Sequence, residues 1–370
     1  MNDKKILSIK KLFLLFLLLP GCSFVARWPA FHIEKAKVPQ NLYRGVFHVH
    51  TEFSHDSKAS LETVIRTAET AGLDFVVVTD HNNMNGKAAY EAMPHPENPL
   101  LIFGDEISTR DGHLIALGVP EAPSNDDTHA DELVKWIHAH GGYAMLPHLI
   151  GSKNAWKNLE MKSFDGVDIY NYAHTSFFDA SNKLNLALQI VFLPPGPFLR
   201  SVEHRSQPML DYWDKRLEMG KYTAFGSADA HMRFLWNGLT PENYLLYFQA
   251  VTTYVWADQF NEKTIVESLG KGKSFIAFEA FGDASGFSFS ASQDSQNYGP
   301  GEDVSVASPV RFLVKLSSPG DIRLIHSGKI IQQVSGTTLE YTAQEPGAYR
   351  VEVDKAGKLW IVCNPIYLKQ

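Results

Sequence analysis

Strand-like and helix-like stretches alternate along the chain from residue 44 onward. Continuous apolar runs such as 75–78 are typical of strands that are buried on both faces. The segment after Ser60 repeats its apolar residues on one helical face and ends at Gly72. The alternation predicts a parallel sheet, open or closed into a barrel. Strands are predicted at 46–50, 75–78, 100–103, 113–117, 143–146, 167–170 and 222–225, and a further helix at 131–140.

Residues 180–216 interrupt this alternation. An apolar, helix-like run at 184–193 is followed by the sequence Pro-Pro-Gly-Pro at 194–197, which favours a turn or an extended segment. We expect an insertion over one face of the sheet. It either lines the entrance to a site or is a structural excursion.

The pattern changes again beyond residue 281. Short alternating runs are separated there by turn signals such as Pro319-Gly320 and Pro346-Gly347, and no helical period accompanies them. This pattern predicts a small all-β, sandwich-like domain at residues 282–370, after an α/β domain at residues 41–281.

The N-terminus has the pattern of a targeting segment. Four lysines precede an unbroken apolar run at 12–19, which is too short to span a bilayer as a helix. The following Leu19-Pro20-Gly21-Cys22 resembles the lipobox of bacterial lipoproteins. That resemblance implies a signal peptide at residues 1–21, a lipidated Cys22, a tether at 22–40 and a membrane lipoprotein of the periplasm or cell surface. An ordinary signal peptide, in which Cys22 is incidental, is the alternative.

Composition excludes several classes of protein. The chain has 370 residues, of which 44% are hydrophobic, so it is not a disordered protein. A formal net charge of -7 argues against a protein that coats nucleic acid. Two cysteines without a Cys-x-x-Cys pair cannot form a disulfide scaffold or a thiolate zinc site. Fifteen histidines are the unusual feature.

Many of these histidines, and several carboxylates, stand where predicted strands end. His48 and His50 are two residues apart in the first strand, so both imidazoles should point to the same side. The carboxyl ends of parallel strands open on one face, where active sites lie. We therefore expect these side chains to meet, whereas His55 should point away from the neighbouring Asp56. The side chains at or near the strand ends are those of His48, His50, Asp56, His81, Glu106, His113, His148, Asp229 and His231.

Such a cluster predicts bound metal. A single His-x-His pair is more often coincidental than a metal site. Several imidazoles and carboxylates buried together without a metal, however, would leave charges and polar groups unpaired. Imidazole and carboxylate ligands without thiolate suit Zn, Mn, Fe or Ni, and the sequence does not choose among them.

The order of these motifs resembles that of the PHP (polymerase and histidinol phosphatase) superfamily. The resemblance rests on His48-Val49-His50, Thr79-Asp80-His81-Asn82, Gly104-Asp105-Glu106, Pro147-His148 and Asp229-Ala230-His231. It implies a distorted (β/α)₇ barrel that holds two or three divalent metal ions, such as Zn, Mn or Fe. The implied metal ligands are His48, His50, Asp56, His81, Glu106, His113, His148, Asp229 and His231. Three residues depart from the usual pattern without removing a ligand: Ser57, Ala228 and Leu149.

The resemblance also implies a hydrolase. Three carboxylates against two or three divalent ions leave the site net positive, which suits a small anionic substrate such as a phosphate ester. We expect phosphomonoester or phosphodiester hydrolysis by a metal-bound hydroxide. Arg110 is a candidate partner of the phosphate, or else a surface residue. His174 is a candidate acid for the leaving group, or else makes a structural hydrogen bond.

Two other functions remain open at this stage. Some members of the superfamily hydrolyse carbamate or carboxylic ester bonds, and the apolar insertion at 184–199 would suit a less polar substrate. The chain could instead be a non-catalytic lipoprotein that binds metal or another ligand.

Overall fold

A computed structural model describes residues 39–124, 128–149, 156–174, 193, 195–232 and 244–370. The predicted signal peptide, Cys22, nearly all of the tether and the apolar run at 184–192 lie outside the described residues. Within the described part of the chain, no helix has the length and apolar character needed to cross a membrane.

The N-terminal region is built of alternating strands and helices, as predicted. Its first helix confirms the sequence signals at both ends, because the Ser60 hydroxyl accepts a hydrogen bond from the Thr63 amide (3.3 Å) and Gly72 ends the helix at φ +65°. The strands are β1 (Leu42–Val49), β2 (Phe75–His81), β3 (Leu100–Ser108), β4 (His113–Leu117), β5 (Tyr143–Leu146), β6 (Gly166–Asn171), β7 (Thr223–Ser227), β8 (Thr252–Trp256) and β9 (Ser274–Ala277). The helices are α1 (Leu61–Ala71), α2 (Asn85–Ala92), α3 (Ala130–Ala139), α4 (Pro195–Val202), α5 (Gln207–Leu217), α6 (Tyr244–Ala250) and α7 (Glu262–Gly270).

Most strands of this region run parallel, with three exceptions. Strands β1, β2 and β3 pair in parallel, and so do β5, β6 and β7. Strand β4 is antiparallel to both β3 and β5 because only residues 109–112 separate it from β3. A parallel crossover needs about a dozen residues, so this short connection can only form a hairpin. Strands β8 and β9 are antiparallel to their neighbours as well.

The segment after β7 returns to the first strand. The Ala228 amide donates a hydrogen bond to the Phe47 carbonyl (2.9 Å), and the Ala230 amide donates to the His48 carbonyl (3.2 Å). The His50 amide in turn donates to the Ala230 carbonyl (3.0 Å). The strand ladder stays open between β7 and β1, but these bonds bring the last parallel strand beside the first.

The C-terminal region is all-β, as predicted. It comprises β10 (Ser288–Gln293), β11 (Gln296–Tyr298), β12 (Asp303–Ser305), β13 (Val310–His326), β14 (Lys329–Ala343), β15 (Gly347–Lys355) and β16 (Lys358–Lys369). The fold class predicted from the sequence is therefore confirmed: an α/β region followed by an all-β region.

The two regions share one sheet. Strand β16 pairs antiparallel with β9, with Val362 opposite Ile276. The Asn364 side chain also bonds both the amide (2.7 Å) and the carbonyl (3.0 Å) of Ala224 in β7. The domain boundary between residues 281 and 282 stays a prediction, because strands on either side of it are hydrogen-bonded to each other.

Candidate metal centre

The carboxyl end of β1 carries two buried histidines that face the same carboxylate. His48 interrupts the register with β2 and has φ +70°, and His50 follows the last residue of the strand. Nε2 of His48 lies 3.0 Å from Oε2 of Glu106, and Nε2 of His50 lies 3.2 Å from the same atom. A local bulge in β1, in addition to the alternation of side chains along the strand, therefore points both imidazoles at Glu106.

Glu106 is the centre of the cluster. It lies in β3, and its side chain is only 1% exposed. Its two carboxylate oxygens face opposite groups of imidazoles, so one side chain connects two parts of the site. Oxygen Oε2 faces His48 (3.0 Å), His50 (3.2 Å) and His81 (3.4 Å), whereas Oε1 faces His113 (2.8 Å) and His148 (2.9 Å).

A second group surrounds Asp56. Its Oδ2 lies 2.9 Å from Nε2 of His231 and 3.5 Å from Nε2 of His81. The Ser54 hydroxyl donates a hydrogen bond to the other oxygen (2.7 Å). The Asp56 side chain is 24% exposed, against 1% for Glu106, so the cluster reaches solvent on the Asp56 side.

Asp229 faces the cluster with both oxygens. Oδ1 lies 3.6 Å from Nε2 of His48 and 3.5 Å from Nε2 of His50. Oδ2 accepts a hydrogen bond from the Asn171 amide (3.1 Å) and lies 3.3 Å from Nε2 of His174. The nine candidate ligands from the sequence are thus brought together, and His174 lies beside them.

Opposite charges in this cluster shift each other's pKa values. Burial alone would raise the pKa of Glu106 and Asp229, yet the surrounding imidazoles, His48 foremost, hold both well below the usual range. Burial opposes protonation of His48 and His81 too, but the nearby carboxylates raise the pKa of each to about 9. Burial and the neighbouring His231 lower the pKa of His50, which favours the neutral imidazole that a metal ligand requires.

The donor atoms fit divalent metal ions. Nε2 of His50 has no hydrogen-bond partner among the described residues, although it points between two carboxylates. The His–carboxylate separations given above run from 2.8 to 3.6 Å. For metal–ligand bonds of about 2.1 Å, neighbouring ligands lie about 3.0 Å apart in an octahedron and about 3.4 Å apart in a tetrahedron. Four sets of donors lie within 4.8 Å of one another: His50, Asp56, His81 and His231; His48, His50 and Asp229; His81, Glu106 and His113; and His148, His174 and Asp229.

Next to the cluster, Asp168 accepts hydrogen bonds from three residues around it. Its Oδ2 accepts hydrogen bonds from the His148 amide (3.3 Å), the Asn171 side chain (3.3 Å) and the Ser227 hydroxyl. Asp168 is not among the candidate residues predicted from the sequence. Its signal was available, since a carboxylate stands between Val167 and Ile169 in a strand that is buried throughout.

Ser57 and Tyr244 both bond the backbone of His50, a role that the sequence did not predict for either residue. The Ser57 hydroxyl donates to the His50 carbonyl (3.1 Å), so the residue that departs from the family pattern has a hydrogen-bonding role here. The Tyr244 hydroxyl also donates to the His50 carbonyl and lies 3.1 Å from the Ser57 hydroxyl. No local pattern around Tyr244 indicates this contact, which spans 194 positions.

Arg110 and His55 lie outside the group of donor atoms. Arg110 is exposed in the turn between β3 and β4, where its amide donates to the Thr128 carbonyl (3.3 Å) and its carbonyl accepts from Lys157 (2.7 Å). The ring of His55 lies 5.0 Å from the ring of His81, so this residue borders the cluster. The roles assigned to individual site residues stay predictions.

Part of the chain matches a known protein family. Residues 47–184 match the PHP domain family. The uncharacterized protein MJ1587 of Methanocaldococcus jannaschii is 25% identical over 143 residues, which cover 34% of this chain and 81% of that protein.

Two solved structures are similar in outline. One is a two-domain protein of Bacteroides vulgatus that contains a predicted PHP-like metal-dependent phosphoesterase; it is 13% identical, with a TM-score of 0.45 over 90% of this chain and 99% of that chain. The other is a protein of Bifidobacterium adolescentis assigned as a metal-dependent phosphoesterase; it is 14% identical, with a TM-score of 0.33 over 56% of this chain and 93% of that chain.

Proposed function

We propose that this chain is a metal-dependent phosphoesterase of the PHP type, which hydrolyses small phosphate monoesters or diesters. One observation carries the proposal. Glu106, a buried carboxylate, faces five imidazoles with its two oxygens, at 2.8 to 3.4 Å. Such a concentration of donors has no evident structural use, because a core of this kind would be more stable with apolar residues.

The proposed ligands form three sets, of which the first two share Glu106. The first comprises His48, His50, Glu106 and Asp229; the second comprises Glu106, His113 and His148; the third comprises Asp56, His81 and His231. The distances from Glu106 to both histidine groups support a shared carboxylate between the first two sets. We expect two or three divalent ions, and the donor types suit Zn, Mn or Fe.

Charge favours an anionic substrate. The three carboxylates carry three negative charges, against four or six positive charges from two or three divalent ions, so the site is net positive. Bound metals would supply an activated water at neutral pH and stabilise negative charge on the phosphoryl oxygens. Among the candidate ligands, Asp56 is the most exposed at 24%, followed by His113 at 15%, against 1% for Glu106, so we place the approach of substrate where these two residues lie.

The chain's own residues would orient these ligands and bind the substrate. Asp168 fixes the backbone of His148 and the side chain of Asn171, which in turn bonds Asp229. Arg110 stands in the exposed turn between Glu106 and His113, and its guanidinium has the fork geometry that binds phosphate through two hydrogen bonds. We assign it to the substrate phosphate.

A substrate panel tests the function. The mature protein would be freed of metal, reconstituted with Zn, Mn or Fe, and assayed with p-nitrophenyl phosphate, bis(p-nitrophenyl) phosphate and p-nitrophenyl acetate. We expect metal-dependent hydrolysis of a phosphate ester, which is lost in the double variant His48→Ala, His50→Ala and kept in His138→Ala, a surface control. Cleavage of the carboxylic ester alone, or activity that survives metal removal, would overturn the assignment.

We also infer a membrane anchor at Cys22, supported by the lipobox-like sequence at 19–22. Labelling of the full chain in a bacterial host with a radioactive fatty acid should mark the wild type. The variant Cys22→Ser should be unlabelled and released into the soluble fraction. Equal labelling of both chains would contradict the anchor.

A further inference from the structure

His174 lies against the proposed metal cluster, in contact with two of its candidate ligands. Its Nε2 is 3.3 Å from Oδ2 of Asp229, and its ring centre is 4.8 Å from that of His148. Donor atoms of these three residues all lie within 4.8 Å of one another. The His174 side chain is 21% exposed, so it stands at the rim of the cluster rather than in open solvent.

The contact with Asp229 differs from a simple ion pair. Oδ2 of Asp229 already accepts a hydrogen bond from Asn171 at 3.1 Å. Surface pairs of imidazole and carboxylate in this chain measure 2.8 Å, for His138 and Asp165, and 3.3 Å, for His129 and Asp111. The 3.3 Å between His174 and Asp229 lies within this range, so what distinguishes the contact is the third donor beside it, His148.

A general acid would have to direct its proton at the leaving group. Nε2 of His174 is directed at Asp229 instead, and a proton on that atom would be shared with the carboxylate. The orientation therefore favours a ligand over an acid. Imidazole and carboxylate donors suit zinc and non-haem iron, and together with Glu106 and His113 the ion held by His148 would have three imidazoles and two carboxylates.

We propose that His174 and Oδ2 of Asp229 are ligands of the metal ion held by His148. This inference rests on the proposed function, since it adds two donors to one of its metal sites. Oδ1 of Asp229 faces His48 and His50, so Asp229 bridges this ion and the one bound by the first histidine pair. His174 thereby sets the affinity and geometry of one ion of the centre.

The test measures metal binding in His174→Ala, His174→Gln and the control His138→Ala. The control removes a histidine that also faces an aspartate, but the described residues place no third donor of this kind beside that pair. Glutamine keeps a hydrogen-bond donor for Asp229 and lacks the imidazole. Each protein would be checked for folding by circular dichroism. It would then be titrated with Co²⁺ in competition with a chelator, following the visible absorption of the bound cobalt and the number of ions retained.

We expect both His174 variants to bind one equivalent of cobalt at least tenfold more weakly, with altered absorption, and the control to match the wild type. Loss of a hydrogen-bond partner that is not itself a ligand lowers metal affinity roughly 10–100-fold. If His174 had only that role, the glutamine variant should restore the affinity. A glutamine variant within tenfold of the wild type would overturn the inference while leaving the proposed function intact. A wild-type protein that binds no metal would refute both.

Discussion

The Tyr244 hydroxyl, at the start of α6, donates a hydrogen bond to the carbonyl of His50 at the end of β1. The same hydroxyl lies 3.0 Å from the carbonyl of Ala230, one residue before His231. Burial raises the pKa of Tyr244 well above its usual range, so the phenol remains a donor. One side chain thus connects the two segments that carry His50 and His231.

Replacing Tyr244 by phenylalanine should therefore weaken metal binding. The variant Tyr244→Phe removes a buried donor between two ligand-bearing segments, and we expect metal affinity to fall roughly 10–100-fold. We expect a stability loss of about 1–2 kcal/mol in the metal-free protein. Tyr222→Phe is the matched control, because that hydroxyl donates to the Lys162 carbonyl (2.9 Å) away from the cluster. Chelator competition and urea unfolding measure the two effects, and equal metal affinity in both variants would contradict the role.

Glu106 and Asp56 should differ in what their loss does to the metal centre. Glu106 faces histidines with both oxygens, whereas only Oδ2 of Asp56 faces histidines. We expect Glu106→Gln to lose at least two ions and Asp56→Asn to lose one. Metal analysis after dialysis gives the count for each variant. Equal losses would show that Glu106 does not bridge two ions.

Glu203 should make stability depend on pH. Neither of its carboxylate oxygens has a hydrogen-bond partner among the described residues. Burial raises its pKa from 4.5 to about 7, and Lys358 and Arg205 offset only part of this. The Glu203 carboxyl therefore loses its proton at a higher pH in the folded chain than in the unfolded chain. Its contribution to the free energy of unfolding falls as the pH rises from 4.5 to 7 and stays low above pH 7.

The variant Glu203→Gln removes that titration. We expect it to be more stable than the wild type by about 1–2 kcal/mol at pH 8 and similar to it at pH 4.5. Urea unfolding at both pH values, with the exposed Glu121→Gln as control, measures the difference. A gain of the same size at both pH values would exclude ionisation as the cause.

A buried charge cluster joins the two regions of the chain. Arg350 in β15 bonds both carboxylate oxygens of Asp214 in α5 (2.6 and 2.7 Å) and one of Glu352 (2.6 Å). Arg350→Ala would leave the two acidic groups buried without this partner, and we expect a loss of about 3–5 kcal/mol.

The control for that variant is Arg311→Ala. Arg311 also pairs with a carboxylate at 2.6 Å, that of Glu340, but both side chains are more than half exposed. An exposed pair contributes less than about 1 kcal/mol. Thermal or urea unfolding of both variants checks the comparison, and similar small losses would show that the cluster does not secure the two regions to each other.

The local pattern of the chain predicted seven of the nine described strands of the α/β region, β1 to β7, and the positions of the candidate metal ligands near them, but it did not predict β8 or β9. Apolar runs such as Phe75–Val78 are typical of a strand buried on both faces. Polar residues directly after them, such as His81, must then lie at the strand's end. The family resemblance supplied the remaining candidates: Glu106 and His148 stand shortly after predicted strands, whereas His113 begins one and Asp56 lies in the loop after the first.

The tertiary structure alone decided which distant groups meet. The contact of Tyr244 with His50, the approach of His174 to Asp229 and the pairing of β16 with β9 join segments with no local signal for one another. Such contacts depend on which strand edges and buried polar groups are left to be satisfied once the whole chain has packed, and that is a property of the complete fold. Periodicity reports how each segment is buried, but it carries no information about the partner that buries it.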